Sequence, residues 1–140
     1  MTTNPTMMKK KVKKPSLTKL KKTLWMYVRS YVKTRDNWRC YTCGAHVRGA
    51  NAHCGHFVPS SICGLGLRYD EHNLRTQCLR CNVHMSGNYV TFRENLIKDN
   101  GEKYVLDLEK RRHETTADFN YQALIEYYKK KCEEIGAEVH

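Results

Sequence analysis

Apolar residues recur at helical spacing near both ends of the chain, and this spacing predicts the first and the last helix. Ser16 is a plausible N-cap, and the pattern after it predicts a helix to about Thr34. Asp118 could cap the last helix. The two apolar stripes consist of Leu17, Leu20, Leu24, Tyr27, Val28 and Tyr31, and of Tyr121, Leu124, Ile125, Tyr128, Cys132 and Ile135. Each stripe either packs inside the chain or contacts a second copy, and the pattern does not choose between these alternatives.

Helical spacing also returns after Gly87, on a face formed by Tyr89, Phe92 and Leu96. The Asn100-Gly101 pair should end this helix, because glycine is favoured just past a helix C-terminus. A short helix to about Arg112 follows, with Tyr104, Val105 and Leu108 as its apolar positions.

Between Asp36 and Gly87 neither helical nor strand periodicity persists, and Cys, His, Asn and Gly are frequent. We expect a short strand around 52–58, a second strand with its connecting loop within 60–77, and a helix beginning near Cys81. Such a stretch buries little apolar surface by itself. It is typical of a domain that a metal ion organises.

Two CxxC pairs supply the strongest chemical signal, Cys40 with Cys43 and Cys78 with Cys81. Four thiolates in a tetrahedron are the preferred ligands of structural Zn²⁺, and Gly44 permits the tight turn after the first pair. Because four thiolates close the coordination shell, this zinc should be structural and not catalytic. The alternatives are ordinary buried cysteines or a thioredoxin-like redox pair, which lacks its βαβ pattern here.

The chain contains seven cysteines and 40 % apolar residues, with no secretory signal and no apolar run long enough to cross a membrane. The length of 140 residues predicts one compact domain. Without a secretory signal, the thiols are expected to serve metal binding more than disulfides. Cys132 is expected in the core, whereas Cys54 and Cys63 receive no role from the sequence.

The net charge of +11 is concentrated at one end of the chain. Residues 1–35 contain eleven Lys and Arg and no acid, whereas residues 36–140 contain fourteen of each sign. A basic segment before a neutral body suits contact with a nucleic-acid backbone, although a solubilising tail or attraction to anionic membrane are alternatives. Residues 1–15 are predicted to form a disordered arm. The candidate DNA-binding residues are Lys9, Lys10, Lys11, Lys13, Lys14, Lys19, Lys21, Lys22 and Arg29.

Histidines and asparagines cluster between and just after the CxxC pairs. Phosphodiester hydrolysis needs a base, a divalent cation, and a group that orients the base. Histidine is the usual base at neutral pH, and imidazole and amide oxygens are credible ligands of a Mg²⁺-like ion. Each candidate also has a simpler interpretation as a surface, packing, capping or turn residue. The candidates are His53, His56, Asn73, Asn82 and His84.

The segments SLTKLKKTLW, CYTCG, HCGHF, QCLRCNVHMSGN and YVTFRENLI resemble the lambda NinG (Rap) family of recombination proteins, within the wider HNH (His-Me finger) nucleases. The resemblance runs from Ser16 to about Arg112. It implies a small zinc-stabilised α+β fold, in which a ββα-metal (HNH, treble-clef-like) core is flanked by an N-terminal helix and C-terminal helices. The chain would then divide into a basic arm (1–15), an endonuclease domain (16–112) and a C-terminal helix (113–140) that packs on the domain or forms a dimer contact.

The resemblance also implies an activity and its setting. The protein would be a phage-encoded, structure-specific endonuclease that cuts branched recombination intermediates, such as Holliday junctions and D-loops, in the bacterial host cytoplasm. It would use structural Zn²⁺ and catalytic Mg²⁺ or Mn²⁺. Because such a junction needs two symmetric cuts, a homodimer is expected. The alternatives are a non-catalytic zinc module that binds nucleic acid, and an HNH nickase or homing-type enzyme on linear duplex.

Three residues match HNH positions with defined roles. His56 matches the general base, and Asn73 matches the central asparagine that orients the base through its loop. Asn82 matches the metal-ligating asparagine that follows the last zinc cysteine.

One position departs from the HNH pattern. Many HNH enzymes carry an aspartate that binds metal just before the base, and here that residue is Gly55. We expect His53 to bind the metal in place of the missing aspartate. Alternate residues of a strand share one face, so His53 lies on the same face as position 55. His84 is a further candidate.

Overall fold

The computed structural model of the chain describes residues 14–115 and 118–140. The DNA-binding candidates Lys9, Lys10, Lys11 and Lys13, and nearly all of the predicted disordered arm, lie outside these residues. The predicted α+β class is confirmed. The elements are helices α1 (Leu17–Arg35), α2 (Leu65–Arg68), α3 (Tyr89–Asn100), α4 (Glu102–Lys110) and α5 (Tyr121–Ile135), and strands β1 (Ala52–His56) and β2 (Leu74–Cys78).

The two strands form an antiparallel pair whose register brings His53 opposite Gln77 and Gly55 opposite Arg75. Residues directly opposite each other point to the same face of the sheet, and neighbours along a strand point to opposite faces. His53, Gly55 and Gln77 therefore share one face. His56, the last residue of β1, belongs to the other face, which α1 covers.

Capping side chains start the first and the last helix. The Ser16 hydroxyl accepts a hydrogen bond from the Lys19 N–H at 3.2 Å, which confirms the predicted cap of α1. The cap of α5 is Asn120, whose side-chain oxygen accepts from the Ala123 N–H at 3.0 Å. The prediction of Asp118 as this cap is wrong, because only the residue directly before the first helical turn can reach its free N–H groups.

The apolar stripes of α1 and α5 pack against each other inside the chain. The prediction that Cys132 is a core residue is confirmed, since this side chain is buried against α1. Only the ends of the stripes, Leu17 and Ile135, stay exposed. Packing inside the chain is therefore the alternative that the structure shows for these stripes. The shared core consists of Leu24, Val28, Tyr31, Val32, Tyr69, Leu74, Tyr128 and Cys132.

A second core lies where α3 and α4 meet the loop after β1. Gly101, at φ +93°, ends α3 as predicted, because glycine tolerates the left-handed backbone of this turn. Cys63, which received no role from the sequence, is a buried residue of this core. The core consists of Phe57, Val58, Cys63, Leu67, Phe92, Leu96, Val105 and Leu108.

Two predicted elements are shorter than expected. β1 ends at His56 and not at residue 58, because Phe57 and Val58 turn to bond with Asn73. The helix expected near Cys81 is one π-helical segment, Arg80–His84. Positive φ angles over 86–88 end this segment before α3 begins.

Candidate functional site

The four CxxC cysteines, Cys40, Cys43, Cys78 and Cys81, meet in space. Their sulfur atoms all lie within 4.8 Å of one another, and the Sγ atoms of Cys43 and Cys78 are 3.7 Å apart. Two ligands in a tetrahedral zinc site with Zn–S bonds of about 2.3 Å lie about 3.8 Å apart, so the spacing fits. This cluster could bind a metal ion such as zinc.

Backbone N–H groups donate hydrogen bonds to two of the cysteine sulfur atoms. The N–H of Cys43 donates to Cys40 Sγ at 3.5 Å, and that of Cys81 donates to Cys78 Sγ at 3.4 Å. Burial alone would raise the pKa of Cys40, but hydrogen bonds, first of all with Thr42, lower it to about 6. A lowered pKa favours the thiolate, the form that binds metal, at Cys40, whereas burial raises the pKa of Cys43 and of Cys78.

His53 and Asn82, predicted as metal ligands, lie in direct contact. The Asn82 Nδ2 group donates to His53 Nδ1 at 3.0 Å, and His53 Nε2 lies 3.1 Å from the Ala50 carbonyl oxygen. Because a carbonyl can only accept, the ring proton lies on Nε2 and Nδ1 keeps its lone pair. Metal-binding histidines usually donate their other ring N–H to a backbone carbonyl or a carboxylate, and the His53 ring is oriented in this way.

This pair lines a cleft of about 520 Å³, which we call the basic cleft. Arg29 and Lys33 of α1 lie on its wall, together with Trp25. Partial burial lowers the pKa of Lys33, and the nearby Arg29 adds to this effect. Arg29 also donates from Nε to the His140 carbonyl oxygen at 2.8 Å. Of the other DNA-binding candidates, Lys14, Lys19, Lys21 and Lys22 are exposed at or near the start of α1.

His56, the predicted general base, occupies a neighbouring cleft of about 420 Å³, which we call the histidine cleft. Its ring stacks on Trp25 with centroids 5.7 Å apart and an interplanar angle of 8°. Its Nε2 lies 3.0 Å from the Arg68 carbonyl oxygen, so the proton lies on Nε2 and the lone pair on Nδ1.

The surroundings of His56 keep its ring uncharged. Burial lowers the pKa of His56 to about 4, and the hydrogen bond to the Arg68 carbonyl opposes this shift without reversing it. The positive charge of Arg68 lowers the pKa further. At neutral pH the ring is therefore in the form that can accept a proton.

The structure thus divides the predicted catalytic residues between two adjoining clefts. Trp25 lines both clefts, with His56 in one and the His53–Asn82 pair in the other. The strand explains the division, since His53 and His56 point to opposite faces of β1. Sequence reasoning missed Trp25, which lies outside the apolar stripe of α1.

Sequence reasoning also missed Arg68 of the histidine cleft. Its Nη2 donates to the Ser60 carbonyl oxygen at 2.8 Å, whereas its buried Nε has no hydrogen-bond partner within the described part of the chain. A guanidinium that lines a cleft beside a histidine is suited to an anionic ligand. No pattern in the sequence indicated Arg68. Its position beside His56 depends on how the short helix α2 is placed in the fold.

Asn73 is fully buried and does not touch a predicted ligand. Its side-chain oxygen accepts from the Val58 N–H at 2.8 Å, and its Nδ2 donates to the carbonyl oxygens of Val58 at 3.0 Å and Leu67 at 3.3 Å. It ties the loop after β1 to α2, whose last residue holds the His56 ring. His84, in contrast, is exposed and makes no side-chain hydrogen bond among the described residues.

Substitution of Asn73 by alanine should destabilise the protein, because it leaves both backbone groups of Val58 without a partner. A buried unsatisfied group costs about 1–3 kcal/mol. Chemical denaturation should report a decrease of at least this size in the free energy of unfolding. Asn100→Ala is the control. Asn100 is exposed and donates one hydrogen bond, to the Leu96 carbonyl oxygen. Equal losses in the two variants would contradict the anchoring role of Asn73.

Comparison with known proteins places the chain among bacteriophage proteins. Residues 3–138 match the family model described as "Bacteriophage Lambda NinG protein". The chain belongs to the NinG family. It is 32 % identical to protein ninG of Escherichia phage lambda over 106 residues, which is 74 % of this chain and 51 % of that protein.

Other relatives give the same picture. Protein ninG of Salmonella phage P22 is 33 % identical over 106 residues, 74 % of this chain and 51 % of the relative. Protein ninG of Escherichia phage 933W is 32 % identical over 111 residues, 77 % of this chain and 54 % of the relative. The chain spans about half the length of these curated relatives. No solved structure matches it. Over 14–115 and 118–140, no helix combines the length and apolar character that a membrane crossing requires.

Proposed function

We propose that this member of the NinG family is a metal-dependent endonuclease that cuts branched DNA. One observation carries the proposal: the His56 ring is uncharged, fixed through Nε2 by the Arg68 carbonyl, and lies in a cleft that shares Trp25 with the cleft of the His53–Asn82 pair. A fixed neutral base and a pair of cation ligands are two of the groups that hydrolysis of a phosphodiester requires.

The arrangement of the hairpin supports a ββα-metal core of the HNH type. β1 and β2 are antiparallel, and the π-helical segment follows β2 directly. Asn82 of this segment reaches back to His53 of β1, so the segment lies against one face of the hairpin. The cysteine cluster, which we infer to hold structural Zn²⁺, fixes the start of the segment through Cys78 and Cys81.

In the reaction, His56 Nδ1 accepts a proton from the attacking water while the water oxygen bonds to phosphorus. The bond from phosphorus to the leaving oxygen breaks, and the leaving oxygen takes a proton from solvent. The Arg68 carbonyl keeps the ring in the required tautomer and stabilises it once it is protonated, because Nε2–H remains a donor. Trp25 limits the movement of the ring by stacking on it. The Arg68 guanidinium, which lines the same cleft, would face a non-bridging phosphate oxygen there.

His53 Nδ1 and the Asn82 side-chain oxygen would hold Mg²⁺ or Mn²⁺, since imidazole and amide oxygen are suitable donors for such ions. The bound ion would stabilise negative charge on the phosphate and the leaving oxygen. Binding of the ion would replace the hydrogen bond that Asn82 Nδ2 now donates to His53 Nδ1. His84 is exposed and remains a weaker candidate for this role.

Basic residues would position the DNA without reading its sequence. Arg29 and Lys33 line the basic cleft, and the exposed lysines at the start of α1 extend the positive surface. A homodimer would supply the two cuts that a four-way junction needs, on a surface other than the packed stripes of α1 and α5. We place this activity in the cytoplasm of the infected host.

The test is a cleavage panel with the zinc-loaded protein on four-way junctions, D-loops, flaps and linear duplex, with Mg²⁺, with Mn²⁺ and with neither. We expect cuts near the branch point that require an added divalent cation. Binding without cleavage on every substrate would contradict the proposal and support a zinc module that only binds nucleic acid. Equal cleavage of linear duplex would instead support a nickase or homing-type enzyme.

A further inference from the structure

Gln77 of β2 is fully buried and uses only half of its side-chain amide. Its Nε2 donates to the Gly87 carbonyl oxygen at 2.8 Å and to Thr42 Oγ1 at 3.2 Å. These partners fix the orientation of the amide, because a flipped amide would direct its oxygen at the Gly87 carbonyl. The Oε1 atom is left buried without a hydrogen-bond partner in the part of the chain that the structure describes. Buried polar atoms are nearly always paired in folded proteins, so an unpaired buried oxygen indicates a missing partner or ligand.

The unpaired oxygen lies directly over Gly55. A Cβ at this position would be 2.0 Å from Gln77 Oε1 and 3.2 Å from Asn82 Oδ1. Two amide oxygens therefore converge on the place where a side chain at position 55 would begin. His53 supplies a third atom that could bind a cation, because its Nδ1 lies 3.0 Å from Asn82 Nδ2.

We propose that Gln77 Oε1 is a third ligand of the divalent cation that His53 Nδ1 and Asn82 hold. This inference rests on the proposed function, and it adds a ligand from β2 that no sequence motif indicated. Glycine at position 55 is required because any side chain there would displace the Gln77 amide. Thr42, next to the cysteine cluster, and Gly87 hold the ligand in place before the ion arrives.

The ligand set would be one imidazole nitrogen and two amide oxygens, all uncharged. Amide oxygens are hard donors that suit Mg²⁺ and Mn²⁺. The ion would retain its full positive charge for the phosphate, because none of these ligands is a carboxylate. The ion would also supply the missing partner of the buried Oε1 atom.

The decisive experiment is an NMR titration of the isotopically labelled, zinc-loaded full chain with MgCl₂. The side-chain carbonyl carbons of Gln77 and Asn82 and the His53 ring should shift together and saturate at one Mg²⁺ concentration. If Asn82 and His53 shift while Gln77 does not, Gln77 is a structural residue only, and the metal site of the proposed function stands. If none of the three shifts, the third ligand and the proposed catalytic site fail together.

A matched pair of variants tests the energetic consequence. Gln77→Ala should weaken Mg²⁺ binding roughly tenfold or more, whereas Gln122→Ala, an exposed position of α5, should leave the affinity unchanged. Gly55→Ala should act like Gln77→Ala, because its Cβ must push the amide aside. Zinc content and melting temperature would confirm that each variant is folded during the measurement. Unchanged Mg²⁺ affinity in folded Gln77→Ala would overturn the proposal.

Discussion

Substitution of His56 by alanine is expected to reduce cleavage of branched DNA by about 10²–10⁴-fold, the usual contribution of a positioned general base. Zinc content and the circular dichroism spectrum should stay at the level of the parent protein, because His56 lies outside the cysteine cluster. Single-turnover cleavage of a labelled junction measures the effect. Added imidazole should restore part of the rate by entering the space beside Trp25.

The matched control is His113→Ala, because His113 is exposed on the 3-10 turn after α4. This variant should cut at the rate of the parent protein. The assignment of His56 fails if His56→Ala also cuts at that rate while it retains its zinc.

The pH profile tests whether a base with an ordinary histidine pKa controls the rate of cleavage. An ordinary histidine, with a pKa of about 6.5, is about nine-tenths protonated at pH 5.5 and would then be a poor base. Burial lowers the pKa of His56 to about 4, so the ring stays neutral as the pH falls to 5.5. We expect a rate that is nearly constant from pH 7.5 to pH 5.5. A tenfold loss over this interval would show that a group with an ordinary pKa controls the rate.

Loss of the metal from the cysteine cluster is expected to unfold the central part of the domain. Structural zinc contributes about 10–16 kcal/mol in small zinc domains, whereas a whole domain is stable by only about 5–15 kcal/mol. The small core around the cluster contains Val47 and Ala52 as its other buried residues, which cannot replace that contribution.

Cys40→Ser, or treatment of the parent protein with a chelator, should therefore remove zinc and lower both the temperature and the enthalpy of the thermal transition. Calorimetry and elemental analysis measure both effects. Cys63→Ala is the control, because Cys63 is buried in the second core, away from the cluster. It should keep its zinc and lose only a little stability. A cooperative transition at the parent temperature in zinc-free Cys40→Ser would refute the structural role.

Several features of the fold could be read from local sequence because they depend on neighbouring residues. The cap at Ser16 and the stop at Gly101 act within one helical turn, and the structure confirms both. The CxxC pairs work in the same way, since each places two thiols on one tight turn. The error at Asp118 is also local: a cap two residues nearer the helix was available in Asn120.

The candidate site could be predicted only in part. The residues His53 and Asn82 were expected to meet, and they lie in contact. The sequence did not indicate that His56 would face a separate cleft, because this depends on α1 covering one face of the hairpin. The catalytic roles of all three remain predictions until cleavage is measured.

The α+β class, the four clustered cysteines, the family and the concentration of positive charge at one end could all be recognised in the sequence. These features are set by composition, by spacing along the chain or by contacts within a turn. The groups that surround the candidates became known from the folded chain: Trp25 on His56, Arg68 at its Nε2, and Gln77 above Gly55. These contacts join residues from different elements, so their geometry exists only once α1, α2 and both strands have packed together.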